Sequence, residues 1–297
     1  MLKRSLFFSQ PWRLSYKNKQ LVATNKEDGE VKTVPVEDLA FVLLDNQRIS
    51  VSMPLTEALV NNNVAVVYCD AKHHPKAMLL NLDAHHLQNE VFRQQINGSM
   101  PLKKNLWKQT IEAKIRNQAC LLKLKDKKSK DIERLAGMVK SGDPDNREGM
   151  AARMYWPRLM GEGFSRDRYS APPNNMLNYG YIILRAAVAR ALVGSGLLPT
   201  LGIHHHSRYN AYCLADDIME PYRPFVDNVV FNMHRQDPEV EILEKEHKAA
   251  LLQVLSSDVK FGDKRRPLMV ALSYTTASLA ECFAGNLKKI KYPGFYV

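Results

Sequence analysis

The residues with the clearest chemical potential lie at positions 202–224, in the segment GIHHHSRYNAYCLADDIMEPYRP. Three consecutive histidines precede a short acidic stretch. If that stretch is helical up to Pro221, Glu220 shares one helix face with Asp216 or with Asp217. Imidazole and carboxylate groups together suit Mn²⁺ or Mg²⁺. The segment therefore predicts either a mixed histidine–carboxylate metal site or a solvated loop before an ordinary helix.

A second carboxylate with similar potential is Glu148, in the segment DPDNREGMAARMYWPRLM. Asp143 or Asn146 can cap a helix here, which places Glu148 in an early turn. The two alanines that follow, Ala151 and Ala152, allow another element to pack close to this carboxylate. Glu148 can also do no more than stabilise a helix N-terminus through the macrodipole. A metal site requires the fold to bring it to the histidine segment.

The charge of the chain favours a polyanionic partner. The 297 residues carry a formal net charge of +11, and the sequence pI is about 9.4. Residues 1–85 contain 10 Lys and Arg against 9 Asp and Glu, whereas the remainder contains 32 against 22. A basic region attached to a near-neutral one indicates nucleic acid, although a basic surface that only aids solubility has the same composition.

Other features limit the class of protein. The four cysteines are far apart and form no CxxC pair, which argues against a zinc knuckle or a redox motif and favours free thiols. The N-terminal stretch MLKRSLFFSQPWRLSY lacks a long apolar run, so we predict no signal peptide. No uninterrupted apolar run reaches about 18 residues, so we also predict no membrane span. These features predict a cytoplasmic protein, and the resemblance described below implies a bacterial one.

The elements that must position the candidate residues change in type near Leu87. Before it, alternating patterns and short apolar runs predict strands, with one short helix in PLTEALVNNN, and CDAKHHPKAMLL is predicted to lead out of the sheet. After it, apolar residues recur at three- and four-residue steps, which predicts helices. The fold class is therefore α+β, with a small β domain over residues 1–87 and a larger all-α domain over 88–297, which contains the candidate catalytic residues. The four clearest helices are KNLWKQTIEAKIRNQACLLKLK, NMLNYGYIILRAAVARALVGSG, EVEILEKEHKAALLQVLSS and LMVALSYTTASLAECFAGNLKKIK.

Four ordered motifs carry a resemblance to a known family. They are NREGMAARMY at residues 146–155, NMLNYGY at 175–181, GIHHHSR at 202–208 and LADDIMEPYRP at 214–224. Their residue types and order resemble the CRISPR-associated spacer-acquisition integrase, the universal adaptation enzyme of these bacterial immune systems. The first and last motifs look most like the form found in type II systems. The resemblance runs through most of the chain, including its β-then-α organisation.

The resemblance implies which side chains bind a metal ion. The family's ligands correspond to Glu148, His205 and Glu220, since the family's metal histidine is the fourth residue of a G-x-x-H motif. Asp217 occupies the family's other acidic position and is implied to support the site or a second ion. The flanking residues His204 and His206 are implied to be polar neighbours rather than ligands. The implied cofactor is Mg²⁺ or Mn²⁺.

The resemblance also implies an activity. The family is a divalent-metal-dependent DNA endonuclease and integrase, which joins the 3′-hydroxyl ends of a foreign DNA fragment to the CRISPR repeat by transesterification. Two alternatives stay open: a metal-dependent nuclease that cuts DNA without joining it, and a DNA-binding scaffold with an inactive site. The intact set of Glu148, His205 and Glu220 argues against the scaffold.

Binding partners are indicated by charge and by the resemblance. Arginines near the candidate ligands are predicted to contact phosphates of double-stranded DNA. The family implies a homodimer formed through the β domain, with two dimers bridged by one dimer of a small ferredoxin-like CRISPR adaptation partner. The type II form further implies association with an effector nuclease and a ring-shaped DNA-end protein. The candidate DNA contacts are Arg147, Arg153, Arg158, Arg166, Arg168 and Arg208.

Overall fold

A computed structural model describes residues 3–167 and 172–296 of the chain. The chain divides into two compact units, Met1–His86 and Leu87–Val297. The division falls where the sequence changes from strand to helix periodicity. The first unit is built on β-sheets and the second on α-helices, which confirms the predicted fold class.

The first sheet of the N-terminal unit has the strand order β1-β5-β7-β8. Strands β1 (Arg4–Phe8), β5 (Leu39–Leu44) and β7 (Ala65–Cys69) are parallel, and β8 (Pro75–Leu79) runs antiparallel to β7. All six residues of β5 are buried, as expected for a central strand covered on both faces. The prediction that the segment after β7 leaves the sheet is wrong. The Asp70 carboxylate accepts hydrogen bonds from two backbone amides within the turn, and the chain returns as β8.

The second sheet has the order β4-β3-β2-β6. Strands β2 (Trp12–Lys17), β3 (Gln20–Asn25) and β4 (Val31–Pro35) form an antiparallel meander, and β6 (Ser50–Val51) pairs in parallel with β2. Helix α1 (Met53–Asn61) follows, with Pro54 in its first turn. Its buried leucines join side chains from both sheets in one apolar core. This core accounts for the independent compactness of the unit.

Helices dominate the C-terminal unit, and its described part also contains one β-hairpin that the all-α prediction did not include. The hairpin pairs β9 (Asp258–Phe261) with β10 (Lys264–Pro267). The helices are α2 (Gln88–Ile96), α3 (Met100–Leu124), α4 (Lys130–Ala136), α5 (Arg147–Met160), α6 (Asn174–Gly194), α7 (Cys213–Met219), α8 (Arg223–Gln236), α9 (Lys245–Gln253) and α10 (Leu268–Phe283).

Helix α6 forms the centre of this unit. It packs against α7, α8, α9 and α10, and 15 of its 21 residues are buried. Among the described helices, α6 alone is long and apolar enough to cross a membrane by length and composition, and 83% of its most apolar window is buried inside the unit. We therefore interpret α6 as a core helix around which the candidate site is built.

Helix α8 was not among the helices predicted most clearly. Pro221 indicated a stop after the acidic stretch, and α7 does end at Met219. The next three residues form a 3₁₀ turn, and α8 begins at Arg223 with Pro224 in its first turn, where a missing backbone N–H costs no helical hydrogen bond. The chain therefore bends at Glu220 and continues as a helix, which places Glu220 at a corner between two helices.

A buried network joins α5, α6 and α8. The hydroxyl of Tyr155 donates to Asp227 Oδ2 at 2.7 Å, and the hydroxyl of Tyr181 donates to Asp227 Oδ1 at 2.5 Å. Burial raises the pKa of Asp227 to about 6, against the opposing effect of the two tyrosine hydrogen bonds and of Arg223 and Arg166 nearby. Since Tyr155 lies seven residues after Glu148 on α5, this network fixes the helix that carries Glu148.

Replacing Asp227 with Asn is expected to change how stability depends on pH. The native pKa of about 6 exceeds the usual 3.8, so the native state favours protonated Asp227 and loses stability as pH rises from about 4 through 6. Asn cannot titrate, so the free energy of unfolding of Asp227→Asn relative to wild type should rise by about 3 kcal/mol over this window. Urea unfolding at pH 4, 5, 6 and 7 measures this difference. A constant difference across these pH values would contradict the buried-carboxyl account.

Candidate functional site

Glu148 lies in the first turn of α5, where it is free of any capping role. The side chain of Asn146 caps the helix by accepting a hydrogen bond from the backbone N–H of Gly149 at 3.0 Å. The carboxylate of Asp143 accepts from the backbone N–H groups of Arg147 and Glu148 at 2.9 and 3.1 Å. Asp143 and Asn146 thus accept hydrogen bonds from the backbone N–H groups at the start of the helix, which leaves the Glu148 carboxylate available for the site.

Glu220 is held at the bend between α7 and α8. Asn117 of α3 donates to the Pro221 carbonyl at 2.7 Å and so anchors the backbone next to Glu220. The Glu220 side chain is buried, and its Oε1 lies 2.9 Å from Nε of Arg223. Burial raises the pKa of a carboxyl, but Arg223 and then Lys114 outweigh it and lower the pKa of Glu220. Glu220 is therefore ionised at neutral pH.

Lys114 of α3 connects the two carboxylates. Its Nζ lies 2.5 Å from Glu148 Oε1 and 2.6 Å from Glu220 Oε2. Burial lowers the pKa of a lysine, but the charges of Glu220 and Glu148 exceed that effect and raise the pKa of Lys114. The fold thus brings together Glu148 and Glu220 from separate segments, and a buried ammonium group lies between them.

Asp217 organises the histidine loop. It is fully buried, and Oδ2 accepts from the backbone N–H groups of Ile203 and His204 at 2.7 and 3.0 Å. Its Oδ1 accepts from the His205 backbone N–H at 3.2 Å and pairs with His205 Nδ1 at 2.6 Å. Four hydrogen bonds occupy the Asp217 carboxylate, so it supports His205, and the implied alternative of a second ion at Asp217 is not favoured.

His205 is oriented by this carboxylate. With Nδ1 bound to Asp217, its Nε2 is the ring nitrogen available to a metal ion, which is the usual relation between a metal-binding histidine and a supporting carboxylate. The hydrogen bond to Asp217 raises the pKa of His205, and the negative charges of Glu220 and Asp216 contribute further, so His205 lies in the electrostatic field of Glu220. Lys114 links Glu148 to Glu220, and Glu220 acts electrostatically on His205, so the three implied ligands lie in one region of the C-terminal unit.

His204 is more than a polar neighbour. Its ring stacks on buried Trp107 with the centroids 4.1 Å apart and the planes within 1° of each other. Trp107 also meets the edge of the His205 ring at 5.7 Å. Burial lowers the pKa of His204, which favours the neutral, stacking form. His206 is exposed, and its Nδ1 pairs with the carbonyl of His204 at 2.8 Å.

Asp216 is directed to other partners. It pairs with Nε and Nη2 of Arg185 at 2.6 and 3.0 Å and accepts from the side-chain amide of Asn210 at 2.7 Å. The helical spacing that allowed Asp216 or Asp217 to share a face with Glu220 therefore does not produce a pair of carboxylates. Glu220 instead pairs with Glu148 of α5 through Lys114.

The chemistry of the donor groups, rather than a preassembled set of ligands, fits a divalent ion. Across residues 3–167 and 172–296, no group of three or more His, Cys, Asp or Glu side chains is assembled closely enough to enclose an ion. Glu220 Oε2 is nevertheless a buried oxygen without a hydrogen bond of good geometry, although the ammonium of Lys114 is close to it. Buried polar atoms normally have a partner, so this Glu220 oxygen is open to a ligand. Together with the Glu148 carboxylate and the His205 imidazole, it offers ligand atoms that Mg²⁺ or Mn²⁺ can use. Glu148, Glu220 and His205 Nε2 are the groups that would hold it.

The six candidate arginines differ in their availability for DNA. Arg153 and Arg208 are exposed, and neither has a carboxylate partner among the described residues. Arg158 forms a two-fold ion pair with Asp131, with both distances at 2.7 Å, so its guanidinium is committed within the protein.

The remaining candidates contact neighbouring side chains. Arg147 lies 3.6 Å from Asp145 at the start of α5. Arg166 donates to Asn174 and Asn178 at 2.9 and 2.7 Å. Arg168 lies outside the described residues. Arg153 and Arg208 are therefore the candidates best placed for phosphate contacts.

Comparison of the chain with known proteins gives a consistent result. The profile of the family described as "CRISPR associated protein Cas1" matches residues 6–253. The chain is 35% identical over 296 residues to a CRISPR-associated endonuclease Cas1 of Neisseria meningitidis serogroup C (strain 8013), covering 99% of this chain and 96% of that protein. It is 27% identical to a CRISPR-associated endonuclease Cas1 of Francisella tularensis subsp. novicida (strain U112), covering 92% and 93%.

Solved structures share the fold at low sequence identity. A casposase bound to an integration product aligns with a TM-score of 0.79 at 18% identity, covering 97% of this chain and 92% of that one. A chain of a Cas6-RT-Cas1–Cas2 complex aligns with a TM-score of 0.73 at 18% identity, covering 100% and 36%. A TtCas1–DNA complex aligns with a TM-score of 0.61 at 15% identity, covering 93% and 91%.

Proposed function

Since this chain belongs to the Cas1 family of CRISPR-associated endonucleases, we propose that it carries out CRISPR spacer acquisition. In this proposal it joins the 3′-hydroxyl ends of a foreign DNA fragment to the CRISPR repeat by transesterification. The observation that carries the proposal is that the carboxylates of Glu148 and Glu220 meet at the ammonium group of Lys114. Asp217 holds Nδ1 of His205 in the same region. The structural likeness to a casposase bound to an integration product supports joining in addition to cutting.

The proposed mechanism assigns a role to each side chain. A bound Mg²⁺ or Mn²⁺ would polarise the scissile phosphate and lower the pKa of the attacking hydroxyl. Glu148 and Glu220 provide the negative charge that holds the ion, and Arg223 keeps Glu220 ionised despite its burial. Asp217 keeps the proton of His205 on Nδ1, so that Nε2 presents a lone pair. Transesterification exchanges one phosphodiester for another and needs no covalent enzyme intermediate.

The proposed assembly extends what is known of the structural neighbours, which include a Cas1–Cas2 complex and a Cas1–DNA complex. We propose a homodimer formed through the β domain, with two dimers bridged by one dimer of a small ferredoxin-like partner. Association with a type II effector nuclease and a ring-shaped DNA-end protein is also part of the proposal. It is supported by the residue patterns around Glu148 and Glu220, which resemble those of type II systems.

The alternative is a metal-dependent nuclease that cuts DNA but does not join it, and a strand-transfer assay separates the two. A labelled duplex with free 3′-hydroxyl ends is incubated with a CRISPR-repeat plasmid, the protein and Mn²⁺, together with the adaptation partner from the same source. The proposal expects covalent joining of the label to the plasmid and no joining with 3′-dideoxy ends. Cleavage of the plasmid without joining would favour the plain nuclease.

The exposed arginines give a test of DNA binding that is independent of the metal. Arg153→Ala or Arg208→Ala should weaken binding to unrelated duplex sequences alike, because phosphate contacts carry no sequence information. Each lost contact should reduce the slope of log affinity against log salt by roughly one unit. Fluorescence anisotropy at several salt concentrations measures the slope.

Arg13 of β2 is a matched control, because it is an exposed arginine of the near-neutral β domain. Arg13→Ala should leave the slope within error of wild type. An equal decrease of the slope for Arg13→Ala and Arg153→Ala would move the DNA surface to the N-terminal unit.

A further inference from the structure

We propose that Lys114 is a built-in counter-cation of the candidate metal site. In the metal-free protein its ammonium group holds Glu148 and Glu220 together, and a divalent ion must displace it to bind. Lys114 would then be a positioning residue that sets how tightly the site binds metal. This inference rests on the proposed function, because it takes these two carboxylates as metal ligands.

The geometry places the ammonium where a shared cation belongs. Glu148 begins α5, whereas Glu220 lies between α7 and α8, so the two carboxylates come from chain segments 72 residues apart. One nitrogen of Lys114 lies within 2.6 Å of an oxygen from each. The Lys114 side chain is only 11% exposed, so its position is set by packing within the unit rather than by solvent. Lys114 is therefore a fixed link between three elements.

The charges around the site explain why a link is needed. Glu220 has a second cation, Arg223, at 2.9 Å. Among the described residues, Lys114 is the one ion-pair partner of Glu148. Without Lys114, the carboxylates of Glu148 and Glu220 would remain close together in a poorly solvated site. Only Glu220 would then keep a paired cation, Arg223. Like charges in such a place repel strongly, so the metal-free site would lose stability.

The same geometry implies competition with the metal. An ammonium and a divalent ion cannot both occupy the space between Glu148 Oε1 and Glu220 Oε2. Part of the free energy of metal binding must therefore be spent on separating Lys114 from these carboxylates and placing its charge elsewhere. Removal of the ammonium without loss of the side-chain volume should accordingly tighten metal binding.

Lys114→Met tests this inference, because methionine fills much of the same volume without charge. Isothermal titration calorimetry with Mn²⁺ should show a Kd lower than wild type by at least about tenfold. Thermal unfolding should show a Tm several degrees lower than wild type without metal, and close to wild type with saturating Mn²⁺. Lys248→Met is the matched control, since Lys248 is another buried lysine, on α9 over the ring of Tyr179. It should leave the Mn²⁺ affinity unchanged.

The outcomes separate this inference from the proposed function. An unchanged or weaker Mn²⁺ affinity in Lys114→Met would overturn it, as would an equal loss of Tm with and without Mn²⁺, which is the result expected of a purely structural lysine. If Lys114→Met folds only with Mn²⁺, the inference is supported, and if Mn²⁺ does not restore folding, it is overturned. Glu148→Gln addresses the proposed function itself. Equal Mn²⁺ binding by Glu148→Gln and wild type would remove Glu148 as a ligand, whatever Lys114→Met shows.

Discussion

Glu220→Gln should abolish both DNA joining and DNA cleavage while DNA binding is retained. The substitution removes the negative charge of a buried ligand and keeps its shape, so the remaining Glu148 and His205 would hold a divalent ion poorly. A loss of several kcal/mol in transition-state stabilisation corresponds to a rate decrease of roughly a thousandfold or more. Strand transfer and plasmid nicking with Mn²⁺ measure the two activities, and anisotropy with duplex DNA measures binding.

A control variant and a measurement of folding accompany the test of Glu220→Gln. Glu133→Gln is a control with the same change of chemistry on an exposed position of α4, and it should retain wild-type rates. Glu220→Gln also leaves Arg223 without its close carboxylate partner, so circular dichroism should accompany the assays to show that the fold persists. Rates for Glu220→Gln that approach wild type at saturating Mn²⁺ would contradict the assignment of Glu220 as a ligand.

The three consecutive histidines should differ sharply in their effect on activity. His205→Ala removes the imidazole held by Asp217 and should reduce joining by roughly a hundredfold or more, since a first ligand matters at least as much as the group that supports it. His204→Ala loses the stack on Trp107, which positions the loop, and should reduce the rate by roughly three- to tenfold. His206→Ala, on an exposed ring, should retain nearly full activity. Single-turnover strand transfer at saturating DNA ranks the variants.

The order of these effects is the test. A loss for His206→Ala as large as that expected for His205→Ala would mean that the ligand lies one residue further along the chain. Equal losses for His204→Ala and His205→Ala would mean that the stacking histidine takes part in the chemistry.

The sequence predicted the two-part architecture and the three implied ligands through different signals. The fold class follows from hydrophobic periodicity, which changes from steps of two to steps of three and four near Leu87. The ligands Glu148, His205 and Glu220 came from motif resemblance, because spacing alone left a solvated loop and a helix N-terminus as alternatives. The alternative for Glu148, a role limited to stabilising the helix N-terminus, lost support when the structure showed its carboxylate paired with Lys114 beside Glu220, while Asp143 and Asn146 cap α5.

The residues that sequence analysis missed are those whose roles depend on packing between distant segments. Lys114 lies on the buried face of α3, three residues after Ile111 and beside Ile115, at a position where helical periodicity expects an apolar residue. A charged residue at such a position is a signal that could have drawn attention to it. Trp107 fits the sequence pattern of an ordinary core residue, and its stacking on His204 cannot be predicted from the spacing of residues along the chain. Arg158 looked available to DNA because its partner Asp131 lies on another helix.

The central claim, that Glu148, His205 and Glu220 together hold the catalytic ion, is tested most directly by locating that ion. Crystals of the protein grown or soaked with Mn²⁺ can be measured near the manganese absorption edge, where the anomalous signal identifies the metal without assumptions about the ligands. The account predicts an anomalous peak bonded to Glu148, Glu220 and His205 Nε2, with the Lys114 ammonium displaced and Asp217 still bonded to His205 Nδ1. A peak at Asp216, at His204 or at His206, with Lys114 still between the two glutamates, would contradict it.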